Sequence, residues 1–244
     1  MKKENIIYGI RPVIEAIKAG KEIEKILIQN GLRNERTYEL KKLINDASIP
    51  YQYVPVEKLK RISNQNHQGI ICYISPIDYQ EIENIIQTVF ESGKTPLVLI
   101  LDKVTDVRNI GAIARTAECA GVDAIILPER GSALLGPDAV KTSAGALLKI
   151  AFHRSNNLKK TIEYLKNSGL KIIAATEKGE ALHYESDLKG PLAIILGSEE
   201  IGVSGEYIKL TDQIVKIPLL GEIESLNVSV ACGILLYETL RQRS

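Results

Sequence analysis

Cysteine and histidine are scarce in this chain of 244 residues, with three of each. Cys72, Cys119 and Cys232 are far apart, odd in number and without a CxxC pair. That pattern argues against a disulfide framework and leaves buried, reduced thiols as the expectation. His67, His153 and His183 are equally scattered, with no HExxH or similar ligand spacing, so no metal site is expected. Long apolar runs are missing as well, and none approaches the roughly 20 residues needed to span a bilayer. The opening MKKENIIYGI lacks the apolar core and cleavage site of a signal peptide, which makes the cytoplasm the expected compartment, with no membrane partner. There is no internal repeat and no low-complexity tract.

What is present is ordinary in bulk. A 45% hydrophobic and 25% charged composition belongs to a soluble globular chain, long enough for two modest domains or one large one. Net charge is only +1, but it is unevenly spread. Residues 1–75 carry 13 Lys+Arg against 8 Asp+Glu, a net +5 that leaves −4 for the remainder. A basic first third beside a mildly acidic remainder fits an anion-binding module next to a catalytic or dimerising one. A Lys-rich solvated surface would give the same count.

The first third alternates helix-like and strand-like segments. Pro12 suits the first turn of a helix that stops at Gly20. IEKILI (23–28) reads as a half-buried strand, and Leu40, Leu43, Ile44 and Ala47 give helical spacing over 34–47. Further strands are expected near 50–54 and 69–74, with helix-forming VEKLKRI between them. Residues 77–95 hold an acidic helix-like patch and the turn ESGKTP, which marks a boundary. The expected division is therefore a domain over 1–75, a linker over 76–95 and a second domain over 96–244. In that last part the runs LVLIL (97–101), AIIL (124–127), KIIAAT (171–176), LAIIL (192–196) and QIVKI (213–217) are apolar without alternation. Strands of that kind are buried on both faces, so the fold class is α/β with a mainly parallel sheet covered by helices.

Ligands of open parallel sheets bind beyond the carboxyl ends of the strands, and three such ends are unusually polar here. After LVLIL, Asn109 is a candidate N-cap for a small-residue helix ending at Gly121. Gly111 and Arg115 share a face of that helix, so Arg115 can reach a phosphate over the glycine, or pair with a carboxylate. Capping and catalysis are both open to Asn109. After LAIIL, Gly197 is followed by Ser198, Glu199, Glu200 and Gly202. The glycine lets a ligand approach the backbone. The spacing is not that of a dinucleotide fingerprint, and two acids suit a cationic cofactor better than a polyphosphate. A surface turn with acidic residues is the other reading. The third end, Ile217–Glu238, leads through Gly221, Ser225, Leu226 and Asn227 into a strongly apolar helix, and polar groups at the mouth of a buried helix need partners.

Together these segments resemble a known family. N-x-G-x-x-x-R-T-A (109–117), I-L-G-S-E-x-x-G (195–202) and I-P-x-x-G-x-x-x-S-L-N-V-S-V-A (217–231) are similar to the three motifs of the SpoU (TrmH-like) branch of the SPOUT RNA methyltransferases. YGIRPVIEAI (8–17) and NHQGIICYI (66–74) resemble that family's small ribosomal-protein-like RNA-binding domain. The whole chain is most similar to the enzymes that methylate a guanosine ribose in large-subunit ribosomal RNA. The resemblance implies a deep trefoil knot in the C-terminal sheet, which periodicity alone does not predict. It also implies S-adenosylmethionine as cofactor, structured RNA as partner, a homodimer and no metal. By the same resemblance Arg115, Asn109, Glu199, Ser225 and Asn227 are the catalytic set. Gly197, Ile217 and Leu226, with Leu219 and Thr176, are implied to contact the cofactor. The implied reaction is displacement by a ribose 2′-hydroxyl, with the Arg115 guanidinium stabilising the alkoxide, since arginine is a poor proton acceptor. Glu222 and Glu224 depart from common relatives at the rim. A transfer RNA substrate and a non-catalytic RNA-binding or assembly factor are the alternatives. A dinucleotide-dependent oxidoreductase would need the glycine fingerprint that is missing.

Overall fold

The computed structural model describes residues 6–198 and 200–244, which form two compact units. The first unit runs to Asp78 and includes Leu134–Pro137. Its elements are β1 (Ile6–Tyr8), α1 (Ile10–Lys18), β2 (Ile23–Gln29), α2 (Glu35–Asp46), β3 (Tyr51–Val54), α3 (Val56–Ile62) and β4 (Ile70–Ile74). The sheet order is β1-β4-β2-β3, with β2 and β3 parallel and the other pairs antiparallel. Successive side chains of a strand point to opposite faces, and β2 uses both. Ile26 and Ile28 join Val13, Ile14, Leu40 and Ile44 of α1 and α2 on one side, while Leu27 meets Leu59 of α3 on the other. Asn34 caps α2 by accepting from the Thr37 amide at 2.9 Å. β1 lies outside the strands expected from sequence, because its three residues are too few to show a period.

The second unit contains α4 (Ile82–Glu91), β5 (Leu97–Asp102), α5 (Val107–Cys119), β6 (Ala124–Pro128), α6 (Pro137–Thr142), β7 (Ala151–Ser155), α7 (Leu158–Asn167), β8 (Lys171–Ala175), β9 (Ala181–Leu182), β10 (Leu192–Gly197), α8 (Gly205–Ile208), β11 (Gln213–Lys216) and α9 (Val228–Arg243). Seven strands make one sheet in the order β7-β6-β5-β10-β8-β11-β9, parallel at every pair. One face is covered by α4 and α7, whose Ile82, Ile86, Val89, Ile162 and Leu165 pack on Val98, Ile100, Ile172 and Ile195. α9 packs against β10 and against α5.

Three expectations change here. The stretch over 76–95 is not only a connector: four apolar residues of α4, spaced three or four apart, are buried in the core of the second unit. Besides β1, two strands of the second unit escaped the sequence reading, and both are edge strands. β7 is AFHRS, too polar to look buried, and β9 is only two residues long. Among the cysteines, Cys72 and Cys232 are fully buried, and burial pushes both thiols up to about 12. Cys119 departs from the expectation: it lies exposed beside Glu118 on the outer face of α5.

Candidate active site

Because the sheet is parallel, all its carboxyl ends lie along one edge, and the polar loops identified from sequence gather there. Gly197, at the end of β10, pairs in register with Asp102 at the end of β5. Asp102 is buried, and its Oδ2 accepts from the Ser204 amide at 2.7 Å. That bond ties the loop after β10 to the neighbouring strand end. Lys103, the next residue, holds a left-handed φ of 56° and donates from Nζ to Ser204 Oγ at 3.2 Å. A non-glycine residue in that region is uncommon and is held by its surroundings.

Gly197 is required by space. A Cβ on it would lie 2.0 Å from the Gly202 carbonyl carbon and 2.2 Å from the Val203 nitrogen. The loop doubles back that closely because the Gly202 amide donates to Ser198 O at 2.8 Å. Glu199, within this loop, lies outside the described residues.

A cavity of about 320 Å³ opens at the ends of β8, β10 and β11. Thr176, Gly197, Ile217, Leu219 and Leu226, the five positions carried over as cofactor contacts, all line it. Thr176 is fixed by its amide, which donates to Val215 O at 3.0 Å. Ala175, Leu196 and Ala231 add apolar wall, while among the described residues Glu177, Glu200 and Glu224 outnumber one cation, Lys178. Ser225 also lines this cavity, and its hydroxyl has no hydrogen-bond partner among the described residues. A second cavity of about 400 Å³ lies alongside, lined by Lys103, Thr105, Asp106, Asn109 and Gly131. The two share Ser198, Glu200, Ile201 and Val228 as a common wall.

The first and third motifs meet through asparagines. Asn227 caps α9, its Oδ1 accepting from the Ser229 amide at 3.0 Å. Its Nδ2 donates to Asn109 Oδ1 at 2.9 Å, so the first turns of α5 and α9 are joined. Asn109 itself is not the cap of α5, contrary to the sequence reading. Asp106 takes that place, accepting from the Arg108 amide at 2.8 Å, and Asn109 is the third residue of the helix, within its first turn. Asp106 was detectable, since it is a strong capping residue three positions upstream. The Arg108 guanidinium, 2.9 Å from Asp106 Oδ2, holds that carboxyl below its usual range.

Arg115 is exposed, lines neither cavity, and has no ion pair or hydrogen bond among the described residues. The carboxylate partner considered from sequence is thus not found there. Nor is the space over Gly111 open for a phosphate: a Cβ at Gly111 would meet Thr142 Cβ at 2.6 Å. The glycine serves close packing of α5 on the C-terminal end of α6. Glu177 and Lys178 were not singled out as pocket lining, because they follow β8 and meet the loop after β10 only in the folded sheet.

Asn227 permits a clean separation of stability from activity. Asn227→Ala removes the cap and is expected to cost about 1 kcal/mol, lowering Tm by about 2–4 °C. Asn227→Ser keeps a capping oxygen but loses the bond to Asn109. Both variants should lose catalytic activity about tenfold or more, with only the alanine variant melting lower. Unchanged melting and unchanged rate in Asn227→Ala would contradict this double role.

Comparison with known proteins agrees with this geometry. The SpoU rRNA Methylase family matches residues 96–237, and a family described as RNA 2′-O ribose methyltransferase substrate binding matches residues 6–80. A TrmH family tRNA/rRNA methyltransferase of Staphylococcus saprophyticus is 38% identical over 99% of this chain and 97% of its own. A crystal structure of an RNA 2′-O ribose methyltransferase superposes with a TM-score of 0.57 at 28% identity, covering 98% of this chain and 88% of that one. An rRNA methyltransferase of Sinorhizobium meliloti, solved with S-adenosylmethionine bound, shares the fold with a TM-score of 0.63 at 23% identity, covering 97% and 87%. With both portions matched, the paired asparagines at the sheet edge and the cavities beside them belong to a SpoU (TrmH-like) family member, an RNA 2′-O-ribose methyltransferase.

Proposed function

We propose that this chain methylates the 2′-hydroxyl of a guanosine ribose in large-subunit ribosomal RNA, using S-adenosylmethionine and working as a homodimer. The observation that carries the reading is the convergence of Thr176, Gly197, Ile217, Leu219 and Leu226 on one cavity at the strand ends. Its size falls at the lower end of the roughly 300–1,000 Å³ of small-molecule sites. Gly197 lines the cavity with backbone alone, and the apolar wall suits a purine. Glu177, Glu200 and Glu224 suit the positive charge of a sulfonium and an ammonium. When bound, S-adenosylmethionine supplies a methyl carbon that a ribose oxygen can attack.

The remaining chemistry falls to this chain. The adjoining cavity, lined by Asn109, holds the acceptor ribose, and the Asn109–Asn227 bond keeps the two cavities in register. Arg115 stabilises the alkoxide that develops at O2′, while a substrate phosphate accepts the hydroxyl proton. Preorganised charge of this kind contributes about 3 kcal/mol per donor. Glu199 is assigned with Asn109 to orient that guanidinium, and Ser225 to close the pocket over substrate. Arg115 lines neither cavity of its own chain, which favours a site completed by a second copy. The outward face of α9 is a fitting contact for it, since Val230 and Tyr237 are 50% and 56% exposed. The trefoil knot stands with this proposal.

Ribosomal RNA is favoured by the description of the family matched over 96–237, and transfer RNA is the second reading, on the name of the Staphylococcus relative. Mass-spectrometric mapping of ribose methylation in RNA from cells lacking the protein tests both. Loss of one 2′-O-methylguanosine from large-subunit RNA is the expected result. Loss from transfer RNA alone would overturn the ribosomal assignment.

A further inference from the structure

Aromatic residues make up only 5% of this chain, yet three tyrosines of the first unit lie on its surface around β3. Tyr51 and Tyr53 alternate along that edge strand and so share one face of the sheet. They are 44% and 43% exposed, with ring centroids 5.7 Å apart and planes at 85°. Lys41 of α2 places its ammonium 5.2 Å from the Tyr53 ring centre. Tyr38, 64% exposed, lies one helical turn before Lys41 on the same side of α2. A hydrophobic core has no use for these rings, and strand preference alone explains neither the lysine nor Tyr38.

The geometry points to Tyr51 and Tyr53, with Lys41 and Tyr38, as a stacking platform for unpaired bases of the RNA substrate. The inference rests on the RNA reading above and deepens it, because it defines the substrate as a hairpin loop or bulge rather than a continuous duplex. Single-stranded bases are recognised by stacking on aromatic faces, with cations drawing in the backbone. The charge is complementary: residues 1–75 carry a net +5. Glu39, the acid nearest in sequence to Tyr38 and Lys41, is taken by Lys18 at 2.8 Å. Lys42 is exposed on the same helix.

Fluorescence anisotropy with two labelled RNAs tests the platform: a hairpin with a loop of unpaired purines, and a blunt duplex of the same stem. The Tyr51→Leu/Tyr53→Leu double variant keeps apolar bulk but loses the π faces. It should bind the hairpin about 10- to 100-fold more weakly, at roughly tenfold per lost stack. Its duplex affinity and its affinity for S-adenosylmethionine should stay within twofold of wild type. The Tyr51→Phe/Tyr53→Phe variant should bind both RNAs as wild type does. Lys41→Gln should weaken both and reduce the slope of affinity against salt by about one. Unchanged hairpin binding by the leucine variant would overturn the platform and leave the patch to a protein partner. Equal loss on hairpin and duplex would also overturn it. Failure of the wild-type protein to bind either RNA would overturn the RNA reading itself, which separates the two failures.

Discussion

Arg115→Ala is expected to abolish methyl transfer, by about 10³-fold or more, while leaving the affinity for S-adenosylmethionine unchanged. A factor of 10³ is about 4 kcal/mol of transition-state stabilisation, the scale of a donor aimed at developing negative charge. The fold should not notice the change. Arg115 is exposed and bonds to nothing among the described residues, and alanine is the better helix former. Surface substitutions of this type stay within about 0.5 kcal/mol. Arg115→Lys should rescue little, because a point charge on a flexible stem does not reproduce the planar fork of donors. Single-turnover methylation with calorimetry of the cofactor checks both halves. Near-normal turnover in Arg115→Ala would remove this residue from the mechanism.

Gly197→Ala should have the largest structural effect. The new methyl would stand 2.0–2.2 Å from three backbone atoms of Gly202 and Val203, and backbone cannot swing aside as a side-chain tip can. Over-packing costs about 1–3 kcal/mol and occasionally more. The upper end of that range corresponds to a Tm lower by about 6–12 °C for a unit of this size. The displaced loop carries Ser198, Glu200 and Ile201, which line both cavities, so cofactor affinity should fall with stability. Gly202→Ala is the informative comparison. Gly202 has a φ of 71°, but no atom lies within 4 Å of its added Cβ, so it should cost about 1 kcal/mol. Equal effects at the two glycines would show that a shift of the loop relieves the crowding at Gly197.

Much of the second unit is legible in the sequence, because unalternating apolar runs such as LVLIL and LAIIL only make sense when both faces are covered. The runs pointed to the strand ends, but the individual positions that line the cavity came from the resemblance of the three motifs to a known family. Other features depend on chain stretches that sequence alone does not juxtapose. Gly111 suggested an open approach, yet Thr142, 31 residues later, fills that space. Asn109 and Asp106 both carry capping chemistry, and only the backbone course around Val107 decides between them. The bond from Asn227 to Asn109 spans 118 positions, and no local pattern announces it.

The wall of Ser198, Glu200, Ile201 and Val228 between the two cavities has a thermodynamic consequence. With donor and acceptor in the two cavities as proposed, any rearrangement of the wall that one favours is felt by the other, and their affinities are linked. Linkage is reciprocal: whatever factor the methyl donor adds to acceptor binding, the acceptor must return to the donor. Product release obeys the same rule, and departure of either product changes the hold on the other.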